Sequence, residues 1–117
     1  MKMIMWPACS TSLRSILPKR HVLDVEETDD ATAYAIMDAS KLLSALLKQT
    51  FRPDGITICQ NGGRFNDLGH YHMHLIPRYD GDGFSWSEPL EPHGAEQRLA
   101  ETRAKLVAML ALRDLAD

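Results

Sequence analysis

The sequence predicts an α+β fold, an antiparallel sheet with two helices, in a single domain over residues 1–117. Three observations carry this expectation. Apolar residues recur at helical spacing after an acidic patch at residues 24–30. Two strand-like runs, residues 55–60 and 70–79, flank the turn signal Asn61-Gly62-Gly63. A second helical run closes the chain from Glu96 to about Arg113. The strand–helix alternation of a dinucleotide fold is absent, GGRFNDLG is not GxGxxG, and there is no P-loop GKS or GKT.

Taken in order, residues 11–17 read as a short strand closed by Pro18 and the basic pair Lys19-Arg20. Thr28 or Asp29 suits the N-cap of the first helix, because a short polar side chain can accept an orphan backbone N–H there. Ala33, Ile36, Ala39, Leu43, Leu46 and Leu47 fall on one face, and Pro53-Asp54-Gly55 ends the helix near Gln49. Residues 55–60, GITICQ, are β-branched and compact, with Cys59 read as a small buried hydrophobe. Phe84 and Trp86 lie in a connection and are expected to cover the sheet end or an interface edge. The last helix carries Leu99, Leu106 and Leu110 on one side and an i,i+4 pair, Glu101 and Lys105.

Composition narrows the function classes. A net charge of −3 gives no support to a DNA- or RNA-binding surface, so no nucleic-acid partner is expected. A small anionic ligand remains compatible, because a few donors can hold a phosphate against an acidic background. Cys9 and Cys59 form no CxxC and fit free thiols in a reducing compartment. No apolar run approaches the ~20 residues that span a bilayer, and the N-terminus is short for a signal peptide. A cytoplasmic location without membrane contact is the expectation.

The chemistry is concentrated in HYHMHLIPRY, residues 70–79. Strand side chains alternate between faces, so His70, His72 and His74 should share one face and Tyr71, Met73 and Leu75 the other. The second set is a core face. The first is a row of imidazoles roughly 6–7 Å apart, lining a cleft. Imidazole titrates near neutrality, so one ring can be a neutral nucleophile while another donates a proton to a phosphate oxygen or a leaving group. A histidine face without a role is disfavoured by the apolar set opposite. The other sharp reading is a metal site, since two strand histidines can bind zinc or iron. His21 or His93 could add a ligand, but no spacing singles one out, and no metal or cofactor is expected. His21 itself reads as a loop residue and His93 as a surface or capping residue.

HYHMHLIPRY resembles the histidine-triad (HIT) signature, LPKRHV at residues 17–22 resembles the family's Pro-Lys-x-His strand end, and ITICQNGGRFND resembles the strand and glycine-bearing loop before the triad. The resemblance covers residues 11–79 and implies a nucleotide-binding HIT-like fold, usually a homodimer. It implies hydrolysis or transfer of nucleoside phosphates through a nucleotidyl-histidine intermediate. His72 would be the nucleophile, and His70 and His74 would orient it and donate to phosphate oxygens or the leaving group. Asn61, Gly62, Gly63, Asn66 and Asp67 would form the substrate-binding loop, its glycines letting backbone approach phosphate. The alternatives are a catalytically weak nucleotide-binding module and a metal-dependent hydrolase using two triad histidines. Three positions depart from the pattern. Asp67 stands where the family usually has Ser or Thr, with Arg64 as a possible compensating charge; the position of a fourth histidine falls at Leu13; and that of a ribose-binding acid falls at Met5. Trp6 reads as core rather than as a base-stacking residue.

Overall fold

The computed structural model describes residues 2–5, 14–87 and 94–114. Trp6, Cys9, Leu13 and His93 lie outside the described residues. The chain divides into two compact units, Met1–Phe84 and Ser85–Asp117.

The first unit holds a four-stranded antiparallel sheet in the order β1-β2-β4-β3, formed by β1 (Lys2–Met5), β2 (Arg14–Leu17), β3 (Gly55–Cys59) and β4 (Met73–Arg78). One long helix, α1 (Asp30–Phe51), joins β2 to β3. The edge strand β1 was not expected from the sequence: KMIM is too short to show a period, and it becomes a strand by pairing Met3 with Ile16. Of the strand expected over residues 11–17, the described part is β2, Arg14–Leu17.

Helix α1 starts where its cap chemistry dictates. The Asp29 carboxylate accepts the Thr32 amide at 2.8 Å and pairs with Arg20 at 3.2 Å. The helix ends at Arg52, which adopts a left-handed conformation (φ 48°) and returns its N–H to the Lys48 carbonyl. Ile36 and Leu47 are buried, with Ala39 and Leu43 packed against the same core. Leu46, expected inward, is 46% exposed; Ser40 is buried in its stead and satisfies its hydroxyl on the Met37 carbonyl at 2.7 Å. The buried row is thus 36, 40, 43 and 47, a helical stripe with one hydroxyl folded back on its own backbone.

This stripe covers one face of the sheet. Ile16, Leu75, Tyr71 and Val22 join Ile36 and Leu47 in the core, with Ile56 and Met73 at its margin. Leu75 is fully buried at the centre. Pro77 also lies in this interior strand, where a missing N–H would normally break the ladder. Its described cross-strand partner is Ile56 on β3. Beyond β4 the chain turns through a polar knot. Arg78 donates to both oxygens of Asp82 and to the Phe84 carbonyl, and its guanidinium lies 4.2 Å over the Phe84 ring. That guanidinium holds the Asp82 carboxyl well below the usual range.

The second unit holds α2 (Ala95–Asp114). Its expected Glu101–Lys105 pair forms at 2.7 Å, and Leu99, Leu106 and Leu110 are exposed. Among the described residues no helix is long and apolar enough to cross a membrane.

Tyr71 is 4% exposed within the core, so Tyr71→Ala should lower the unfolding free energy by about 3–5 kcal/mol. Chemical denaturation measures this directly. A change under about 1 kcal/mol would show that the ring is not packed as described.

Candidate functional site

The triad does not form a straight row on one strand. β4 begins at Met73, so His70 and His72 precede it and only His74 belongs to the ladder. The expected face assignment holds for Tyr71, Met73 and Leu75, which meet the core beneath α1. It needs correction for His72, which was expected to line an open cleft and is only 1% exposed.

The imidazole of His72 is fixed from behind. Its Nδ1 lies 2.9 Å from the His70 carbonyl oxygen. A carbonyl only accepts, so Nδ1 carries a proton and Nε2 is the nitrogen that faces Asp67. His74 stands edge-on to His72, with ring centroids 4.6 Å apart and planes at 84°. His74 is held in turn by the buried Ser15, whose hydroxyl lies 2.9 Å from Nδ1. Strand register explains the contact: Ser15 and Cys59 are the cross-strand partners of His74 on β2 and β3, so all three share one face. Cys59 is half-buried rather than fully buried, and burial pushes its thiol pKa up.

His70 turns away from the other two. Its Nε2 donates to the Pro18 carbonyl at 3.0 Å, and its Nδ1 lies 3.1 Å from the Nδ1 of His21, the rings stacked at 11°. Two ring nitrogens at that distance need one proton between them. The loop histidine of the LPKRH segment is therefore the partner of the first triad histidine, a role its sequence position did not reveal.

The glycine-bearing loop is tied to the segment after β2. The Gly63 N–H, a candidate phosphate donor, goes to the Asp24 carboxylate at 2.9 and 3.1 Å. Gly63 has φ 57°, which favours glycine, and a Cβ on Gly62 would come within 3.1 Å of Asp24 Oδ1, a tight approach. Asn66 donates to the Leu23 carbonyl at 2.9 Å, while its Oδ1 is buried with no partner. Asn61 is exposed and its carbonyl accepts from Gln60 at 2.6 Å. Arg64 lies over the Phe65 ring at 5.5 Å. Asp67, which stands where the resemblance leads one to expect Ser or Thr, reaches His72: its Oδ1 is 3.5 Å from His72 Nε2. The structure thus gathers His72, His74, Ser15 and Asp67 into one cluster and His70, His21 and Pro18 into another. Asn66, Gly62 and Gly63 are held on Leu23 and Asp24.

Burial holds the His74 imidazole below the ordinary histidine pKa; the nearby His72 acts in the same direction and Asp67 against it. A lowered folded pKa means that acidification protonates the unfolded chain before the folded one. The contribution of neutral His74 to stability is therefore present above the ordinary value of 6.5 and is lost as pH falls below it toward the folded value. Melting temperatures between about pH 7.5 and 5 should fall more steeply for the native chain than for His74→Gln, which cannot titrate in this range. Parallel curves would remove His74 as the source. At the loop, Asp24→Ala should release the Gly63 amide and cost about 1–3 kcal/mol, read by denaturation, with faster hydrogen exchange at Gly63. Unaltered exchange would show that Asp24 does not hold the loop.

Comparison with known proteins agrees with this geometry. The HIT domain family model matches residues 10–81. The HIT protein of Bacillus subtilis is 32% identical over 100 residues, covering 80% of this chain and 69% of that protein. A crystal structure of a HIT family member from Bacillus subtilis superposes with a TM-score of 0.60 at 28% identity, over 81% of this chain and 71% of the other. A histidine triad nucleotide-binding protein from Candida albicans shares the fold, with a TM-score of 0.62 at 23% identity over 92% and 89% of the two chains. The chain spans about half the length of several other curated relatives that it matches. With the match covering most of the first unit and containing all three triad histidines, the chain belongs to the HIT family.

Proposed function

We propose that this chain is a nucleotide-binding hydrolase or nucleotidyl transferase acting on nucleoside phosphoramidates or dinucleoside polyphosphates, with His72 as nucleophile. The observation that carries the reading is the hydrogen bond from His72 Nδ1 to the His70 carbonyl, which leaves the Nε2 lone pair as the reactive site. In the first step Nε2 bonds to the α-phosphorus as the bond to the leaving group breaks. The leaving group takes the Nε2 proton of His74 in its imidazolium form, whose Nδ1–H donates to the Ser15 hydroxyl, and the ring is left neutral. Water then attacks the phosphorus, the Nε2–phosphorus bond breaks, and the water proton returns to His74. The products are the nucleoside monophosphate and the protonated leaving group. His70 acts through its carbonyl, while its ring is held by Pro18 and His21. A cytoplasmic homodimer completes the proposal; the exposed edge of β3, with Ile58 48% exposed, offers a surface for a second copy.

A catalytically weak binding module is the second reading, favoured by the acidic side chain at His72 Nε2. The test is hydrolysis of an adenosine phosphoramidate and of diadenosine polyphosphates, with and without EDTA. The native chain should turn over with EDTA present and yield a nucleotidyl adduct on His72 by mass spectrometry. His72→Gln should abolish both, and His74→Ala should slow turnover by about 10²–10⁴-fold. Because His72 is buried, each variant needs its own melting curve. A folded His72→Gln protein with full activity would eliminate the nucleophile assignment. AMP binding without turnover would favour the binding module.

A further inference from the structure

Resting on the proposed function, we infer that Asp67 is a specificity-determining residue that discriminates between phosphates by the charge on the reacting phosphorus, accepting a monoanionic substituted phosphate and disfavouring a dianionic terminal one. The place of the carboxylate is the argument. Asp67 Oδ1 lies 3.5 Å from His72 Nε2, the atom a phosphorus must approach. The equatorial oxygens of any bound phosphate must then settle beside this carboxylate. Among the described residues no Lys or Arg forms an ion pair with Asp67. Arg64, the nearby candidate for compensation, is turned over Phe65 instead.

The charge at phosphorus separates substrate from product. In a phosphoramidate or an anhydride the α-phosphorus is substituted and carries one negative charge. Once hydrolysed, it is a terminal phosphate with a second pKa near 6, so it is mostly a dianion at neutral pH. Repulsion from a fixed carboxylate grows with that second charge. Asp67 therefore weakens binding of the released monophosphate more than that of the substrate, and the site clears itself of product. A Ser or Thr hydroxyl in this position would donate to both forms and give no such bias.

The discriminating experiment uses two ligands that differ by one phosphate charge and one methyl group: adenosine monophosphate and its 5′-phosphate methyl ester. Dissociation constants are measured by calorimetry for the native chain and Asp67→Asn, which keeps the shape and removes the charge. Asp67→Asn should tighten monophosphate binding about tenfold more than methyl ester binding, the scale expected for one extra charge beside a partly exposed carboxylate. In the native chain the preference for the ester should narrow as pH falls below about 6, where the phosphate gains its second proton, and at about 0.5 M salt. If Asp67 merely orients the His72 ring, both ligands shift together and the ratio stays constant, which overturns the proposal while a nucleotidyl adduct on His72 still supports the function. If neither protein binds either ligand and no adduct forms, the functional reading and this inference fall together.

Discussion

One backbone hydrogen bond organises the site. The Tyr71 N–H donates to the Val22 carbonyl at 2.7 Å, where the side chains of both residues enter the core beneath α1. It joins the segment after β2 to the segment before β4, short of the point where either is a strand. With Tyr71 and Val22 fixed, their chain neighbours have little freedom. His70 and His21 are brought ring to ring, and His72 is turned to the opposite side from Tyr71, against His74. The core thus determines which histidines meet, and the hydrophobic burial of Tyr71, Val22 and Leu75 stabilises an arrangement of polar rings that has little stability of its own.

Within that frame the three histidines take unequal roles. Each imidazole has one nitrogen tied to an acceptor or hydroxyl, but the partners differ: the Pro18 carbonyl for His70, the His70 carbonyl for His72 and the Ser15 hydroxyl for His74. A carbonyl permits one protonation pattern at the nitrogen it holds. A hydroxyl permits two, because it can donate or accept. The hydrogen bond of His74 therefore survives either protonation pattern, as the proposed proton donor requires, while the carbonyl keeps a proton on His72 Nδ1, as the proposed nucleophile requires.

Much of this was legible in the sequence. The alternation of Tyr71, Met73 and Leu75 marked the core face because it depends only on the strand period. The HxHxH spacing marked the residues that gather around His72, and of the two N-cap candidates, Thr28 and Asp29, the structure uses Asp29. Other features depend on partners distant in sequence. Ser15 becomes a partner of His74 only through the β2–β4 register, 59 positions away, and Asp24 meets Gly63 across 39. Period alone misplaced two features. Leu46 lies at the edge of the helical stripe, where a hydroxyl folded back on its own backbone could take the inner position instead. His72 sits before the ladder, where it is buried and Asp67 approaches it.

The loop before the triad shows how acidic side chains substitute for a ligand. Asp24 satisfies the Gly63 amide, and Asp67 stands at His72 Nε2. Both carboxylates occupy positions where an anion could be held, yet their exposure differs in consequence. Asp24 is half-buried, bonded twice to one amide, and belongs to the fold of the loop. Asp67 has 75% of its side chain exposed and touches only the edge of His72. Little packing surrounds it, so its effect on an arriving phosphate is one of charge, which salt screens. The Asp24 carboxylate thus belongs to the structure of the loop itself, whereas the Asp67 carboxylate leaves its charge largely exposed beside His72 Nε2.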